Sequence, residues 1–428
     1  MNYKKKENRF FNDFKDLLDS KFFKISVLIN FAYLIISITL TLTIFKEKND
    51  FLVYYDTGGK FLNDINNLYT YNPELTWQFR YFPLSALFFV PFYLMGFEIG
   101  FIISQVLNFI LNFFICLFIY KIVLLIKSEE KQLDKDRIIL FISLFLISVP
   151  QFYNYILGQI NLYITILILI SLFIFLKKEK IIWQFAASFI LGITINLKPI
   201  TIFMIPFLIC LNYNFKQNRF EFDIKKSSIR ILGVFIPVAF NLIFFLLIPA
   251  LWDGFIGTNL LGEEPVDKNH SFSITKLIIN AFYFTDSSFS QLTIILTIFL
   301  IFFGLSITIY IFRRNNKNNL LIGFCLGIIT MLLVYFDSWD HHLLILTPIL
   351  ILMIFNLHNY NNKIKKYLIP SYIFFCFLDL IFVGLWYLLI DVFPFNFIPT
   401  IFLILSLYGS YKYFLINENN TINNNIKK

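Results

Sequence analysis

The sequence predicts an all-α polytopic membrane protein, and its composition carries that prediction. Of 428 residues, 58% are hydrophobic and only 15% are charged, and the mean hydropathy is +0.72. Soluble globular domains contain about 25% charged residues, and no water-soluble fold could cover the apolar surface that 57 phenylalanines supply. A soluble enzyme and a free nucleic-acid-binding domain are therefore excluded.

Apolar runs approaching the length of a membrane-crossing helix, roughly 20 residues, recur along the chain. We interpret twelve of them as candidate spans: 22–45, 98–126, 138–152, 159–176, 181–197, 199–214, 230–251, 290–312, 319–336, 340–357, 367–390 and 396–415. A further run, 81–96, contains two prolines and is only about 24 Å long as a helix. We predict that it re-enters the membrane without crossing.

The distribution of Lys and Arg predicts the orientation. With twelve crossings and a re-entrant 81–96, every cluster of basic residues between the spans falls on the cytoplasmic side, as the positive-inside rule requires. The net charge of +9 is then an orientation signal, with no nucleic acid as partner. This topology predicts a cytoplasmic segment 1–21, a single transmembrane catalytic domain 22–415 with extracytoplasmic loops 46–80 and 252–289, and a cytoplasmic tail 416–428.

The first outer loop contains a carboxylate suited to acid–base chemistry. Asp56 lies eleven residues beyond the end of the first candidate span, and partial desolvation beside a cavity raises the proton affinity of a carboxylate. Gly58 and Gly59 follow it and would let the backbone approach a ligand closely. A solvated loop aspartate without a catalytic role is an equally open interpretation.

Three later segments of the predicted outer face contain polar side chains beside apolar runs. Gln159 and Asn161 open a helix, where they could bond sugar hydroxyls or serve as a helix cap and interhelix contact. Lys198 lies between two apolar runs, where it could meet a phosphate or extend to the interface. Asn269 and Ser271 lie in the late outer loop and resemble an ordinary polar loop.

The segment Asp337–His342 contains two acids and two imidazoles in six residues, wedged between apolar runs. Charge pairing with a phosphate fits this composition at membrane depth. Metal binding is less favoured, because adjacent side chains on a helix diverge by about 100°. The four cysteines lie singly within apolar runs, so we predict no disulfide and no metal site. Asp–His pairs that cap a helix remain an open alternative.

Taken in order, these segments resemble glycosyltransferase family 87, membrane enzymes of the GT-C type that include polyprenyl-phosphate-mannose-dependent α-mannosyltransferases. The resemblance covers roughly residues 50–345 and departs at His270, where Gln is expected, and at Phe82, where a second proline is expected. It rests on the Asp56 loop, Leu68-Tyr69, Tyr81-Phe82-Pro83-Leu84, Gly158-Gln159-Ile160-Asn161, Lys198, Asn269-His270-Ser271 and Ser338-Trp339-Asp340-His341-His342.

The resemblance implies a GT-C-type bundle of about twelve transmembrane helices in the plasma membrane, with both termini cytoplasmic. Its first outer loop would carry short helices and the re-entrant segment. The implied reaction is the inverting transfer of a hexose, mannose by family default, from a polyprenyl-phosphate donor to a glycan or glycolipid acceptor at the outer face. It implies Asp56 as general base and needs neither a cofactor nor a metal.

The charge that develops on a lipid-phosphate leaving group must be offset by positive groups. The plausible outer-face cations are Lys198, His341, His342 and Arg80, and Asp340 could orient either histidine. We expect Asp56 and these cations to converge on one lipid-accessible hollow. The side chains expected to hold the sugar or the acceptor are Gln159, Asn161, Tyr55, Asn269 and Ser271.

Three other functions are compatible with a polytopic chain. A transporter or lipid-linked glycan flippase would distribute polar residues across the depth of the bundle, whereas here they concentrate at one predicted face. A membrane-bound acyltransferase could use His342 but would not need Asp56. A scaffold would leave Asp56 and Lys198 without a role.

Overall fold

The computed structural model describes residues 13–70, 72, 75, 77–127, 134–261, 271–284, 291–314, 318–357, 362–378, 393–394 and 397–415. Within these ranges the chain is almost entirely helical, which confirms the all-α fold class. The chain divides into two compact units. The first unit comprises Met1–Phe173, Ala186–Pro199 and Gly233–Glu264; the second comprises Ile174–Phe185, Ile200–Leu232 and Pro265–Lys428.

α-Helices account for most of the described residues. They are Lys21–Thr43, Asp50–Asn63, Pro83–Leu94, Phe97–Ile126, Lys135–Leu146, Val149–Leu157, Asn161–Lys177, Ile181–Leu197, Ile224–Leu247, Pro249–Ile256, Ile274–Phe284, Gln291–Ile311, Asn319–Val334, Leu343–Asn356, Asn362–Ile373 and Ile398–Phe414. Tighter or wider helical turns cover Ile65–Asn67, Pro199–Leu208, Gly257–Leu261, Asp340–His342 and Phe374–Leu378.

Five stretches of helix among the described residues are long and apolar enough to cross a membrane: Lys21–Thr43, Phe97–Ile126, Lys135–Leu157, Ile224–Leu247 and Leu292–Ile311. Shorter apolar helices occupy other candidate spans, among them Asn161–Lys177, Ile181–Leu197 and Asn319–Val334. The helix Pro83–Leu94 has 12 residues and is about 18 Å long, too short for a hydrocarbon core of about 30 Å.

The first helix, Lys21–Thr43, reverses the burial pattern of a soluble protein. Its buried side chains include Asn30 and Thr41, whereas Phe22 and Leu28 are about two-thirds exposed. A helix that turns its apolar side chains outward is stable only where the surroundings are lipid. The chain is therefore a polytopic membrane protein.

The buried amides of this helix bond to neighbouring helices. The Asn30 Nδ2 donates to the carbonyl oxygen of Leu146 at 2.9 Å, and its Oδ1 accepts from the Tyr155 hydroxyl at 2.9 Å. The Asn112 and Gln151 amides donate to each other at 3.0 and 2.8 Å. These polar groups satisfy one another and thereby join neighbouring helices.

The candidate span 199–214 is not one continuous α-helix. The segment contains the 3-10 helix Pro199–Leu208 and then the strand Leu211–Asn214, which pairs antiparallel with Arg219–Phe222. Pro206 interrupts regular helical hydrogen bonding. The Asn214 Oδ1 accepts from the backbone N–H groups of Lys216 and Gln217 and thereby fixes the turn.

The helical stretch Lys135–Leu157, which contains the candidate span 138–152, is interrupted at Ile147 and Ser148, and the interruption positions the site. The helix Lys135–Leu146 ends before Ser148, and a new helix, Val149–Leu157, begins with Pro150 in its first turn. That second helix ends at Gly158, which has φ +65°; a Cβ there would lie 2.6 Å from the Cβ of Phe51. Only glycine fits this turn, which delivers Gln159 beside the helix that contains Phe51.

Gly58 and Gly59 allow close helix packing rather than approach of a ligand. A Cβ on Gly58 would lie 2.8 Å from the backbone oxygen of Phe89, and one on Gly59 would lie 2.6 Å from the ring of Tyr93. The helix Asp50–Asn63 therefore packs directly against Pro83–Leu94. The predicted role of these glycines in ligand approach is corrected accordingly.

Candidate active site

The first unit contains a group of hydrogen-bonded polar side chains, here called the acid–amide cluster: Asp50, Asn154, Gln159, Asn161 and Lys198. Asp50 is the first residue of the helix Asp50–Asn63, whose N-cap Asn49 accepts from the backbone N–H of Leu52 at 3.2 Å. Since the positive end of a helix dipole favours a nearby anion, a carboxylate is well placed at this position.

Gln159 lies at the centre of the cluster. Its Nε2 donates to the Asp50 Oδ2, and its Oε1 accepts from the Tyr54 hydroxyl at 3.0 Å. Its backbone oxygen accepts from the Asn154 Nδ2 at 3.2 Å. The predicted residue Gln159 thus joins a carboxylate to the amides of the next helix turn.

Lys198 closes the other end of the cluster. The Asn161 Nδ2 donates to the Asn154 Oδ1 at 3.3 Å, and the Lys198 Nζ donates to the Asn161 Oδ1 at 2.7 Å. Lys198 is only 3% exposed, so it does not extend to the membrane surface. A continuous hydrogen-bonded series therefore connects a buried ammonium to a carboxylate.

Three tyrosines are linked by hydrogen bonds next to Gln159. The Tyr54 and Tyr81 hydroxyls are 3.0 Å apart, and the Tyr69 hydroxyl donates to the backbone oxygen of Tyr81 at 2.6 Å. Burial raises the pKa of Tyr54 well above its usual value, and the nearby Tyr81 and Asp50 add to the effect. The Tyr54 hydroxyl consequently keeps its proton and acts as a donor to Gln159.

Asp56, the predicted general base, lies on the same helix but in a different environment. Its Oδ2 forms an ion pair with the Lys60 Nζ at 2.9 Å, one helical turn away, and its side chain is 27% exposed. Successive residues advance by about 100° around a helix, so Asp50 and Asp56 lie about 120° apart around the axis. No bond of the cluster described above involves Asp56.

Two further predicted residues of the first outer segment differ in their surroundings. The Tyr55 ring packs against the rings of Tyr93 and Phe97, with centroids 5.2 and 5.7 Å apart. It belongs to an aromatic contact, whereas its neighbour Tyr54 faces Gln159. Arg80 is half-buried and directly precedes Tyr81.

In the second unit the predicted segments around Ser271 and Ser338 lie side by side. The Ser271 Oγ donates to the backbone oxygen of Ser338 at 3.2 Å and accepts from its N–H at 3.3 Å. The N–H of Phe272 donates to the same oxygen at 3.0 Å. Asn269 lies outside the described residues. Hydrogen bonds to backbone atoms thus hold these two segments, both singled out from the sequence, next to each other.

The two histidines are buried in a tight turn. Asp340, His341 and His342 form a 3-10 turn, and each is less than a tenth exposed. The His342 Nδ1 accepts from the backbone N–H of Trp339 at 3.0 Å, and the two imidazole centroids are 4.3 Å apart. His342 therefore caps this turn, and its other ring nitrogen, Nε2, is the atom through which it could act on a ligand.

Within the described residues, no group of three or more His, Cys, Asp or Glu side chains could hold a metal ion. That transfer needs no metal stays a prediction.

Sequence reasoning missed Asp50 and Asn154. Asp50 follows Asn49 at the start of a helix, a pattern that also occurs in ordinary capping, and its partner Gln159 lies 109 positions away. The one local signal was that Asp50 is the first carboxylate at the start of a helix in the outer loop, preceded by a capping residue.

A family model describing glycosyltransferase family 87 matches residues 79–335, more than half of the chain. The matched range includes Gln159, Asn161, Lys198 and Ser271 and confirms the resemblance drawn from the sequence. A comparison with curated proteins finds no match.

Proposed function

The chain belongs to glycosyltransferase family 87, and from that premise we propose that it moves a hexose from a polyprenyl-phosphate carrier to a glycan or glycolipid acceptor. It is a membrane glycosyltransferase. We propose mannose as the hexose and the extracytoplasmic face of the plasma membrane as the place of transfer, with both termini in the cytoplasm. The observation that carries the proposal is the acid–amide cluster, in which amides join a carboxylate to a buried ammonium.

An inverting transfer makes two demands on its site. The acceptor oxygen attacks the anomeric carbon and must lose its proton, while the bond from that carbon to the lipid phosphate breaks and negative charge moves onto the phosphate. A carboxylate meets the first demand and fixed positive groups meet the second. We assign the base to a carboxylate of the helix Asp50–Asn63 and the cation to Lys198.

The two carboxylates of that helix are not equivalent as bases. Asp50 bonds directly to Gln159, the residue proposed to hold a sugar hydroxyl, whereas Asp56 is committed to Lys60. A base must lie within hydrogen-bonding reach of the proton that it removes. We therefore propose Asp50 as the base ahead of Asp56, with Gln159 and Asn161 orienting the sugar.

The proposal keeps the other predicted roles except that of Ser271. His341, His342 and Arg80 would contact the donor phosphate, with Asp340 orienting a histidine. Tyr55 and Asn269 would contribute to binding of the sugar or the acceptor, whereas Ser271, whose hydroxyl bonds to the backbone of Ser338, would hold the chain in place. The donor is a substrate, and the proposal includes no resident cofactor.

A pair of isosteric substitutions tests the proposal. Purified protein in proteoliposomes receives a short polyprenyl-phosphate-linked [14C]mannose and a panel of glycan and glycolipid acceptors, and labelled product is counted. We expect D50N to reduce kcat by about 10²–10⁴, the usual contribution of a general base, and D56N to reduce it by less than about tenfold.

Donor binding, measured separately with the same labelled lipid, serves as the control for folding. If D56N abolishes transfer and D50N does not, Asp56 is the base and the assignment made from the geometry is wrong. If the wild-type protein transfers no hexose from a polyprenyl-phosphate donor to any acceptor, the proposed donor class fails.

A further inference from the structure

The second unit contains a pocket of about 920 Å³ with two buried arginines, here called the arginine pocket. Arg230 and Arg313 line it, and each is only 4% exposed. Volumes of this size hold small ligands. Arg313 and Lys226, which also lines the pocket, belong to basic clusters that the positive-inside rule assigns to the cytoplasm. None of the residues that line this pocket has a role in the proposed transfer.

The hydrogen-bond partners of Arg230 among the described residues carry no formal charge. Its Nε and Nη2 donate to the Gln184 Oε1 at 2.9 and 2.6 Å, and its Nη1 donates to the backbone oxygen of Leu208 at 3.3 Å and to the Cys210 Sγ at 3.2 Å. These bonds hold the planar group in one orientation. The nearest carboxylate that acts on Arg230 electrostatically, Asp223, is exposed and forms no ion pair with it.

Arg313 uses fewer of its hydrogen-bond donors than Arg230 does. Its Nη1 donates to the backbone oxygens of Leu211 and Tyr310 at 3.1 and 2.5 Å, and its guanidinium stacks on the Tyr310 ring at 4.2 Å. The Nε is buried and has no hydrogen-bond partner among the residues that the structure describes. A buried donor of a charged group without an acceptor is costly, so the side chain is arranged for an acceptor that arrives from outside the chain.

Among the described residues, no carboxylate forms an ion pair with Arg230 or Arg313. The acidic side chains that line the pocket lie further out: Glu179 and Asp223 are exposed and Glu221 is half-buried. Hydrogen bonds from Asn214 and Asn212 lower the pKa of Glu221, so it is ionised. Buried arginines at the base of the pocket, with carboxylates nearer its entrance, disfavour a ligand with many negative charges. They favour a ligand with one anionic group.

We infer that the arginine pocket binds a single phosphate group, either the headgroup of an anionic lipid or a free phosphate. Guanidinium groups match phosphate oxygens in a fork-like geometry and are weakly hydrated, which suits a buried site. The surrounding lysines would attract such an anion to the entrance. The inference does not depend on the proposed transfer.

Binding measurements on the full chain test this inference. The protein in a maltoside detergent is titrated in a calorimeter with inorganic phosphate and, separately, with dioctanoyl phosphatidic acid, with dioctanoylglycerol as the lipid that lacks the phosphate. We expect binding of at least one phosphate probe and none of dioctanoylglycerol. Binding of phosphatidic acid alone identifies a lipid headgroup, and equal binding of inorganic phosphate identifies a free anion.

Three variants decide whether the arginines hold the phosphate. R313Q should weaken binding by about ten- to a hundredfold, as expected for hydrogen bonds to a charged group. The matched control R314Q alters the exposed neighbour, whose guanidinium lies over Phe215, and should leave binding within about twofold.

E221Q should tighten binding severalfold, because it removes a negative charge from the rim; a misfolded variant could not give that gain. The inference is overturned if the wild-type protein binds neither phosphate probe, if R314Q weakens binding as much as R313Q, or if E221Q leaves the affinity unchanged.

Discussion

The acid–amide cluster of the first unit and the Ser271–Ser338 contact of the second unit are built from different kinds of hydrogen bond. In the first, side chains bond to side chains that are distant in sequence, as Asp50 to Gln159 and Lys198 to Asn161. In the second, side chains bond mainly to backbone atoms, as Ser271 to Ser338 and His342 to Trp339.

This difference separates two tasks. Bonds to the backbone fix the path of the chain, since their loss leaves N–H and carbonyl groups without partners. Bonds between side chains of buried charged and amide residues are retained at a cost in desolvation and can be exchanged for bonds to a ligand. Substitutions in the acid–amide cluster should therefore reduce catalysis, and those at Ser271 should reduce stability.

Among the substitutions that test this comparison, the largest effect is expected at Lys198. K198M removes the buried ammonium, keeps most of its volume, and should lower kcat by about 10²–10³, the usual effect of losing one preorganised stabilising group. Because K198M also removes the donor to the Asn161 Oδ1, the melting temperature should fall as well, so kcat is measured well below it. The measurement is hexose transfer from the labelled donor.

K60M is the matched control for this substitution. Lys60 forms a partly exposed ion pair with Asp56, and such pairs contribute about 0–1 kcal/mol. If K60M and K198M lose equal activity, the acid–amide cluster has no special catalytic role.

A smaller effect is expected at His342, where capping and ligand binding can be separated. H342N keeps an acceptor near the position of Nδ1, which bonds to the backbone of Trp339, but removes Nε2. If the imidazole contacts the donor phosphate, the KM for the donor should rise about ten- to a hundredfold. If H342N leaves the KM for the donor unchanged and H342A is less stable than H342N, then His342 acts only as a cap of the turn.

Much of this arrangement could be predicted from the sequence, because burying a polar group in an apolar run is costly. That argument identified Gln159, Asn161 and Lys198, which are brought into one series of hydrogen bonds. The apolar runs likewise predicted the helical fold, and the failure at 199–214 arose where Pro206 and alternating Asn residues replaced a helix by a 3-10 turn and a hairpin.

Asp50 could not be identified in this way. Its significance depends on Gln159, and the path that joins them requires the break at Ser148 and the positive-φ turn at Gly158. Asp56 was favoured as a carboxylate of the first outer loop and by the family resemblance, and the two glycines predicted to let a ligand approach beside it serve contact with the helix Pro83–Leu94. A local motif could not distinguish approach of a helix from approach of a ligand.

That packing role of the glycines predicts a loss of stability of intermediate size. In G58A the new Cβ would lie 2.8 Å from the backbone oxygen of Phe89, an atom that cannot rotate away. We expect destabilisation by about 1–3 kcal/mol, typical of overpacking, seen as a lower melting temperature in detergent. G304A is the control, since nothing lies within 4 Å of a Cβ there; a G58A protein as stable as G304A would contradict the packing explanation.

The smallest effect is expected at Ser271, and it sharpens the comparison with the acid–amide cluster. S271A removes the hydroxyl that bonds to both the N–H and the carbonyl of Ser338, and each net hydrogen bond contributes about 1 kcal/mol. The melting temperature should fall while kcat, measured well below it, stays within about threefold. T39A, which removes an exposed bond within one helix, should change stability by less than about 0.5 kcal/mol. A large loss of kcat in a fully stable S271A protein would instead place Ser271 in contact with the sugar or the acceptor, because a residue that only holds the backbone cannot slow the reaction without loosening the fold.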